Sequence, residues 1–168
     1  LNREELMQSV QDHVDLTTAA GPAADLVIWP ETMLPGDLNR AIEDGRPAPP
    51  PLEDMTRWEE FSARMLLKAI ARVRAHFLVG ASTREGEAPA HHYNSAYFFS
   101  PDGALLARYD KIHRVVFGEY VPLKSILPFL AVFRPEIMGP DLSPGATRLL
   151  FTLPPAGTAP AHRFGATI

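Results

Sequence analysis

Apolar residues recur along the 168-residue chain in two rhythms, a helical spacing and short unbroken runs. Leu6, Val10 and Val14 recur every four residues and predict a helix ending near Ala20, where Gly21-Pro22 stops it. Asn2 and Glu5 ahead of them resemble a capping box. Asp25-Leu26-Val27-Ile28-Trp29 is the pattern of a strand buried on both faces. Pro30 is expected to end that strand and to aim Glu31 out of its C-terminal edge. Trp58, Phe61, Met65, Ala69 and Val73 trace a second amphipathic helix, with Thr56 and Glu59 as its capping pair. Phe77–Ala81 then completes a strand–helix–strand unit.

Between these elements, residues 35–54 read as one long loop. Its run Arg46-Pro47-Ala48-Pro49-Pro50-Pro51 is expected to be too stiff to pair in a sheet. Further on, Ser100-Pro101-Asp102-Gly103 is turn chemistry between two strand-like runs, 93–99 and 104–109, so a hairpin is predicted. Residues 122–144 read as irregular, and 148–151 and 163–168 as further strands. There is no internal repeat. The mixture predicts an α/β sandwich built on a mixed sheet.

Composition narrows the function. Hydrophobic residues make up 46% and charged residues 21%, which suits a folded domain rather than a disordered chain. The net charge of −4, from 16 basic and 20 acidic residues, lacks the basic excess of a nucleic-acid protein. No run approaches the ~20 apolar residues that span a bilayer. The 17 prolines, about twice the usual share of ~5%, cluster in the loops. Cysteine is absent, which removes disulfides, cysteine-bound zinc and thiol chemistry from the residues given.

Four groups of residues have chemistry to offer. Glu31 follows a buried strand at the sheet edge where α/β proteins place their sites, and a partly desolvated carboxylate there is suited to general-base work. The same glutamate would equally serve as a cap. Lys111, at the end of the hairpin in Tyr109-Asp110-Lys111-Ile112-His113, is either a solvated surface charge or a fixed ammonium able to stabilise an oxyanion. Glu119, in Phe117-Gly118-Glu119-Tyr120-Val121-Pro122, taken alone fits a structural turn. His91, His92 and His113 lack a third ligand at a set spacing, so neither a metal nor any other cofactor is expected.

Taken in order, these segments resemble the nitrilase superfamily of carbon–nitrogen hydrolases. Residues 25–31 resemble its strand and catalytic glutamate; Tyr93-Asn94-Ser95 through Gly103 and then residues 109–113 resemble its hairpin and catalytic lysine. Trp29-Pro30-Glu31-Thr32 and the Phe117–Pro122 block resemble the branch of apolipoprotein N-acyltransferases, and the second block is the most specific discriminator. Arg114 and Val116 depart from that branch, where a leucine and a proline are expected, and the proline-rich insert at 46–51 is unusual.

The resemblance implies an α-β-β-α sandwich incomplete at both ends, with residues 1–168 as a partial domain. A first strand and a multi-helix membrane domain are expected before it, and the nucleophilic cysteine directly after Ile168. It implies ping-pong acyl transfer, in which a cysteine thiolate takes an acyl group from a phospholipid and passes it to the N-terminal amine of a diacylglyceryl apolipoprotein. Glu31 would be the base, Lys111 the oxyanion partner and Glu119 a supporting carboxylate. Val115, Val116, Phe117, Phe129, Leu130 and Phe133 would face lipid or acyl chain, or else form ordinary loop core. The implied place is the bacterial inner membrane, with this domain on the periplasmic side. A soluble amidase using water as acceptor, or an inactive truncated paralogue, carries the same residues. Without the cysteine the chain is expected to be inactive alone and marginally stable.

Overall fold

The computed structural model describes residues 3–20, 24–43, 45–47, 58–123, 126, 127, 129, 132, 140–155 and 160–168. Helix α1 spans Arg3–Ala20 and helix α2 Trp58–Val73. Val10 and Val14 of α1 are fully buried. On α2, Phe61, Ala69 and Val73 are buried together with Leu66 and Ile70, so the predicted stripe is the face that meets the sheet. Strand β1 spans Leu26–Asp37, β4 His76–Glu85, β5 His91–Phe99 and β6 Leu105–Asp110. They form one mixed sheet in the order β1-β4-β5-β6. β1 and β4 run parallel with α2 in the crossover, and β4–β5 and β5–β6 are antiparallel. The predicted strand–helix–strand unit and the hairpin at 100–103 are both present. The capping residues Asn2 and Thr56 lie outside the described residues.

Each face of the sheet has its own cover. Phe77, Val79, Tyr97 and Phe99 point toward the helices and pack with Val10, Val14 and Leu66. Leu78, Ala96 and Phe98 point the other way, toward a two-stranded ribbon of β7 (Phe151–Leu153) and β8 (His162–Phe164). Phe98, Phe151 and Phe164 form a triangle with ring centroids 5.5–5.8 Å apart, which fastens the ribbon to the sheet. Helices, four-stranded sheet and ribbon are three of the four layers of an α-β-β-α sandwich.

Several local expectations are corrected. Residues 35–54 are not one loop: β1 continues to Asp37, a 3-10 turn covers Leu38–Ala41, and β2 (Ile42–Glu43) pairs antiparallel with β3 (Arg46–Pro47). Leu38 is fully buried, so core packing holds this segment. Pro47 pairs because a two-stranded ribbon has an open edge, where a missing N–H costs nothing. Residues 48–57 lie outside the described residues. The last two strands are shorter than expected: 148–150 and 165–168 extend beyond the β7–β8 pairing without a partner strand.

β1 does not stop at Pro30, yet its regular pairing does. Trp29 pairs with Val79 and the next pair is Leu34 with Ala81, so the four residues Pro30–Met33 stand opposite Gly80 alone. Proline removes a ladder donor there, and Thr32 takes a positive φ of 49°, an uncommon state for a β-branched residue. Gly80 makes the bulge possible. A Cβ on it would collide with the Pro30 carbonyl oxygen and lie 2.7 Å from Glu31 Cα. Gly80→Ala is therefore expected to cost about 1–3 kcal/mol, measured by denaturant unfolding; an unchanged midpoint would show that the bulge moves freely.

Candidate active site

The bulge decides where Glu31 goes. Strict alternation along β1 would send it to the helix side with Val27 and Trp29. Four residues opposite one leave three extra, which break that alternation, and its carboxylate meets Asn94 and Lys111 at the sheet edge. Trp29 fixes the start of the bulge: its ring is buried edge-on against Phe77 at 5.7 Å, and Nε1–H donates to Thr17 Oγ1 at 3.0 Å.

Lys111 leaves the end of β6, and its backbone is tied on both sides. Its N–H donates to the Asn94 carbonyl at 2.8 Å, and its carbonyl accepts from Gly145 N–H at 2.9 Å. The preceding residue is anchored from the helix face of the sheet. Asp110 accepts from Ser95 Oγ at 2.6 Å and from Arg108 Nη2 at 2.9 Å. Ser95 in turn meets Thr83 Oγ1 at 2.7 Å, which also contacts the Tyr97 hydroxyl. Ser95, Thr83 and Tyr97 are fully buried, so the strand end from which Lys111 projects is held by a satisfied polar network.

The Lys111 side chain is only 9% exposed, and its Nζ donates to Glu31 Oε1 at 3.1 Å and to Glu119 Oε1 at 2.8 Å. The structure thus brings the three predicted residues together from β1, β6 and the loop that follows. Glu119 is held by that loop: its Oε2 accepts from Val115 N–H at 2.9 Å, and its own N–H donates to the Val115 carbonyl at 2.8 Å. Burial pulls the Lys111 ammonium down, but hydrogen bonds and charge from Glu119 and Glu31 outweigh it, and the net shift is upward. Burial likewise pushes the Glu119 carboxyl up, and Lys111, Val115 N–H and Asn94 reverse this to a net lowering. Lys111 is thereby kept cationic and Glu119 anionic.

Asn94 is a site residue that the sequence reading did not single out. Its Nδ2 donates to Glu31 Oε1 and its side chain also bonds Glu119, so its amide group spans both carboxylates. Two anionic partners fix the amide with NH2 toward them, which turns Oδ1 away. That oxygen is buried and has no partner among the described residues. The available signal was a polar side chain on the face of β5 that also carries Ala96 and Phe98.

Beside Glu31 lies a pocket of about 280 Å³ walled by Leu78, Gly80 and Ala96 of the sheet and by Phe164–Ile168 beyond the ribbon. On the other flank, Val115, Val116 and Phe117 are exposed, as is Phe129, which overturns ordinary loop core as their reading. Leu130 and Phe133 lie outside the described residues. His91 bonds Ser143 Oγ at 3.0 Å. Among the described residues no group of three or more His, Cys, Asp or Glu side chains is arranged to hold a metal.

The pH dependence of stability follows from these shifts. A carboxyl lowered by folding contributes stability that is present above its ordinary value of about 4.3 and is lost as pH falls through the lowered one. Lys111, raised by folding, contributes stability present below about 10.4 and lost as pH rises through its folded value. Tyr97, raised by burial to about 12, adds to the same alkaline limb. Glu119→Gln is expected to flatten the fall in melting temperature between about pH 5 and pH 2; identical acid limbs in variant and parent would contradict the assignment.

Known proteins resemble this chain in sequence and in fold. A family model for carbon–nitrogen hydrolases matches residues 1–158. An apolipoprotein N-acyltransferase of Allorhizobium ampelinum is 33% identical over 148 residues, 86% of this chain and 25% of that protein. One of Geobacter metallireducens is 37% identical over 130 residues, 76% of this chain and 21% of that protein. The chain therefore spans about a quarter or less of the length of these relatives. A CN-hydrolase superfamily protein of Xanthomonas campestris superposes with a TM-score of 0.51 at 24% identity, covering 86% of this chain and 42% of that one, a likeness of fold. With a family match across nearly its whole length and that fold, the chain belongs to the carbon–nitrogen hydrolases.

Proposed function

We propose that the chain is the Glu- and Lys-bearing part of an apolipoprotein N-acyltransferase. What supports this most is one juxtaposition: two carboxylates from separate segments meet one buried ammonium beside a pocket walled by Phe164–Ile168. The likeness to relatives of that name and the exposed Val115–Phe117 flank turn the general family chemistry toward a lipid substrate.

In this reading residues 1–168 are part of one catalytic domain that follows a membrane domain, on the extracytoplasmic side of the bacterial inner membrane. No described helix is long and apolar enough to cross a membrane. The nucleophile is a cysteine following Ile168. Glu31 takes the thiol proton as the thiolate attacks the acyl ester carbonyl of a phospholipid. Lys111 faces the oxyanion that forms. Collapse breaks the ester C–O bond, the lysophospholipid oxygen takes the proton from Glu31, and a thioester remains. The amine of the diacylglyceryl-cysteine then attacks, loses a proton to Glu31, and releases the thiolate, which recovers that proton. Asn94 Nδ2 holds the Glu31 carboxylate in place. Glu119 keeps Lys111 placed.

A soluble amidase would use the same residues with water as acceptor, and the family match accommodates it equally. The test uses the full-length protein in phospholipid vesicles with a diacylglyceryl peptide, followed by mass spectrometry. Expected is transfer of one acyl group, reduced about 10²–10³-fold by Glu31→Gln or Lys111→Met. Amide hydrolysis without acyl transfer would replace this reading with the amidase. The 168-residue chain alone is expected to give no turnover, since it carries no thiol; turnover by it would refute the cysteine mechanism.

A further inference from the structure

Residues 142–145 form a strap that touches both arms of the site. Leu142 N–H donates to the Glu119 carbonyl at 2.8 Å, Ser143 N–H to the His92 carbonyl at 2.6 Å, and Gly145 N–H to the Lys111 carbonyl at 2.9 Å. One short segment therefore carries hydrogen bonds to the loop that presents Glu119, to strand β5 and to Lys111 itself. At Gly145 the approach is so close that a Cβ would collide with the Asp110 carbonyl oxygen and lie 2.7 Å from its carbon.

Arg114 locks this strap. Its Nη1 donates to the Leu142 carbonyl at 2.6 Å, and its guanidinium carbon lies 3.9 Å from the centre of the Tyr120 ring. Leu142 is thus held through both backbone groups, its carbonyl by Arg114 and its N–H by Glu119. Tyr120 belongs to the same loop as Glu119: its carbonyl accepts from Phe117 N–H at 2.8 Å, and it bridges to Val116. The cation lies over a ring of the Glu119 loop and bonds the strap. A planar guanidinium can do both at once, through its face and its edge. The leucine expected at this position from the resemblance could do neither.

We propose that Arg114 is a positioning residue, which clamps the Glu119 loop to the 142–145 strap and so keeps the Glu119 carboxylate on the Lys111 ammonium. Its catalytic consequence rests on the acyl-transfer reading; the clamp itself does not. Among the described residues, the charged groups facing Lys111 are Glu31 from β1 and Glu119 from the loop. A loosened loop therefore leaves a buried ammonium with one carboxylate fewer.

The chain has three lysines, Lys68, Lys111 and Lys124, so a 13Cε-lysine NMR titration of the full chain resolves Lys111 without any substrate. Arg114→Leu and Tyr120→Leu are expected to lower the Lys111 midpoint while thermal melts still show a folded protein. Tyr120→Phe keeps the ring and is expected to leave the midpoint unmoved. Tyr120→Leu leaves Arg114 in place and Tyr120→Phe accounts for loss of the phenol, which together separate loss of the clamp from removal of the Arg114 charge. A parental or higher Lys111 midpoint in folded Tyr120→Leu would overturn the proposal. Should the leucine variants not fold, amide exchange in the parent decides: protected Leu142 and Gly145 N–H groups support the clamp, and rapid exchange at both overturns it. Neither result depends on whether the full-length protein transfers acyl groups, so a failure of that reading is separately visible.

Discussion

A single ammonium, nine-tenths buried, imposes most of the order at this sheet edge. Desolvating Lys111 is unfavourable unless anions and acceptors replace the lost water. Glu31 and Glu119 supply that compensation from segments 80 residues before and eight after it. Each carboxylate must then be delivered by backbone that has little freedom of its own. That requirement accounts for a four-residue bulge opposite a glycine, a self-bonded loop at 115–120, and a strap fastened at both ends.

The sheet separates the work of holding from the work of reacting. On its helix face, Thr83, Ser95 and Tyr97 join to Asp110 and Arg108 in a network with its hydroxyls fully buried. On its other face, Asn94 reaches the carboxylates, and Ala96 and Leu78 wall the pocket. Asn94 and Ser95 are neighbours in sequence and point to opposite faces because a strand alternates. One residue therefore binds the reactive carboxylates while the next anchors the strand end that carries Lys111.

The sequence made the periodic parts legible. The stripe of α2, the run of β4 and the hairpin turn at Ser100–Gly103 each repeat one local rule many times, and packing agrees with it. Glu31, Lys111 and Glu119 were legible as an ordered set, through their resemblance to a family, while none stood out by residue type. What stayed hidden depends on a partner distant in the chain. The bulge at Pro30–Met33 requires Gly80, which lies on the neighbouring strand. The pairing of Pro47 requires Ile42, and burial of Leu38 comes from the core beneath it. Asn94 reads as one of several polar residues in β5 until Glu31 is brought across to it.

The same distinction explains why a departure from the family pattern at Arg114 is compatible with an intact site. Substitution by type is severe, from an aliphatic side chain to a guanidinium. In place, however, the guanidinium finds an aromatic face on its own loop and a carbonyl on the strap, so its donor and its charge are both used. The loop retains the tight hydrogen-bonded turn that presents Glu119. What such a loop must preserve is the position of one carboxylate relative to one ammonium, and an ionic clasp satisfies that constraint as directly as an apolar contact does. Its fastening to the strap then links the placement of Glu119 to that of Lys111 through shared backbone bonds. The two groups are thus coupled mechanically as well as by charge.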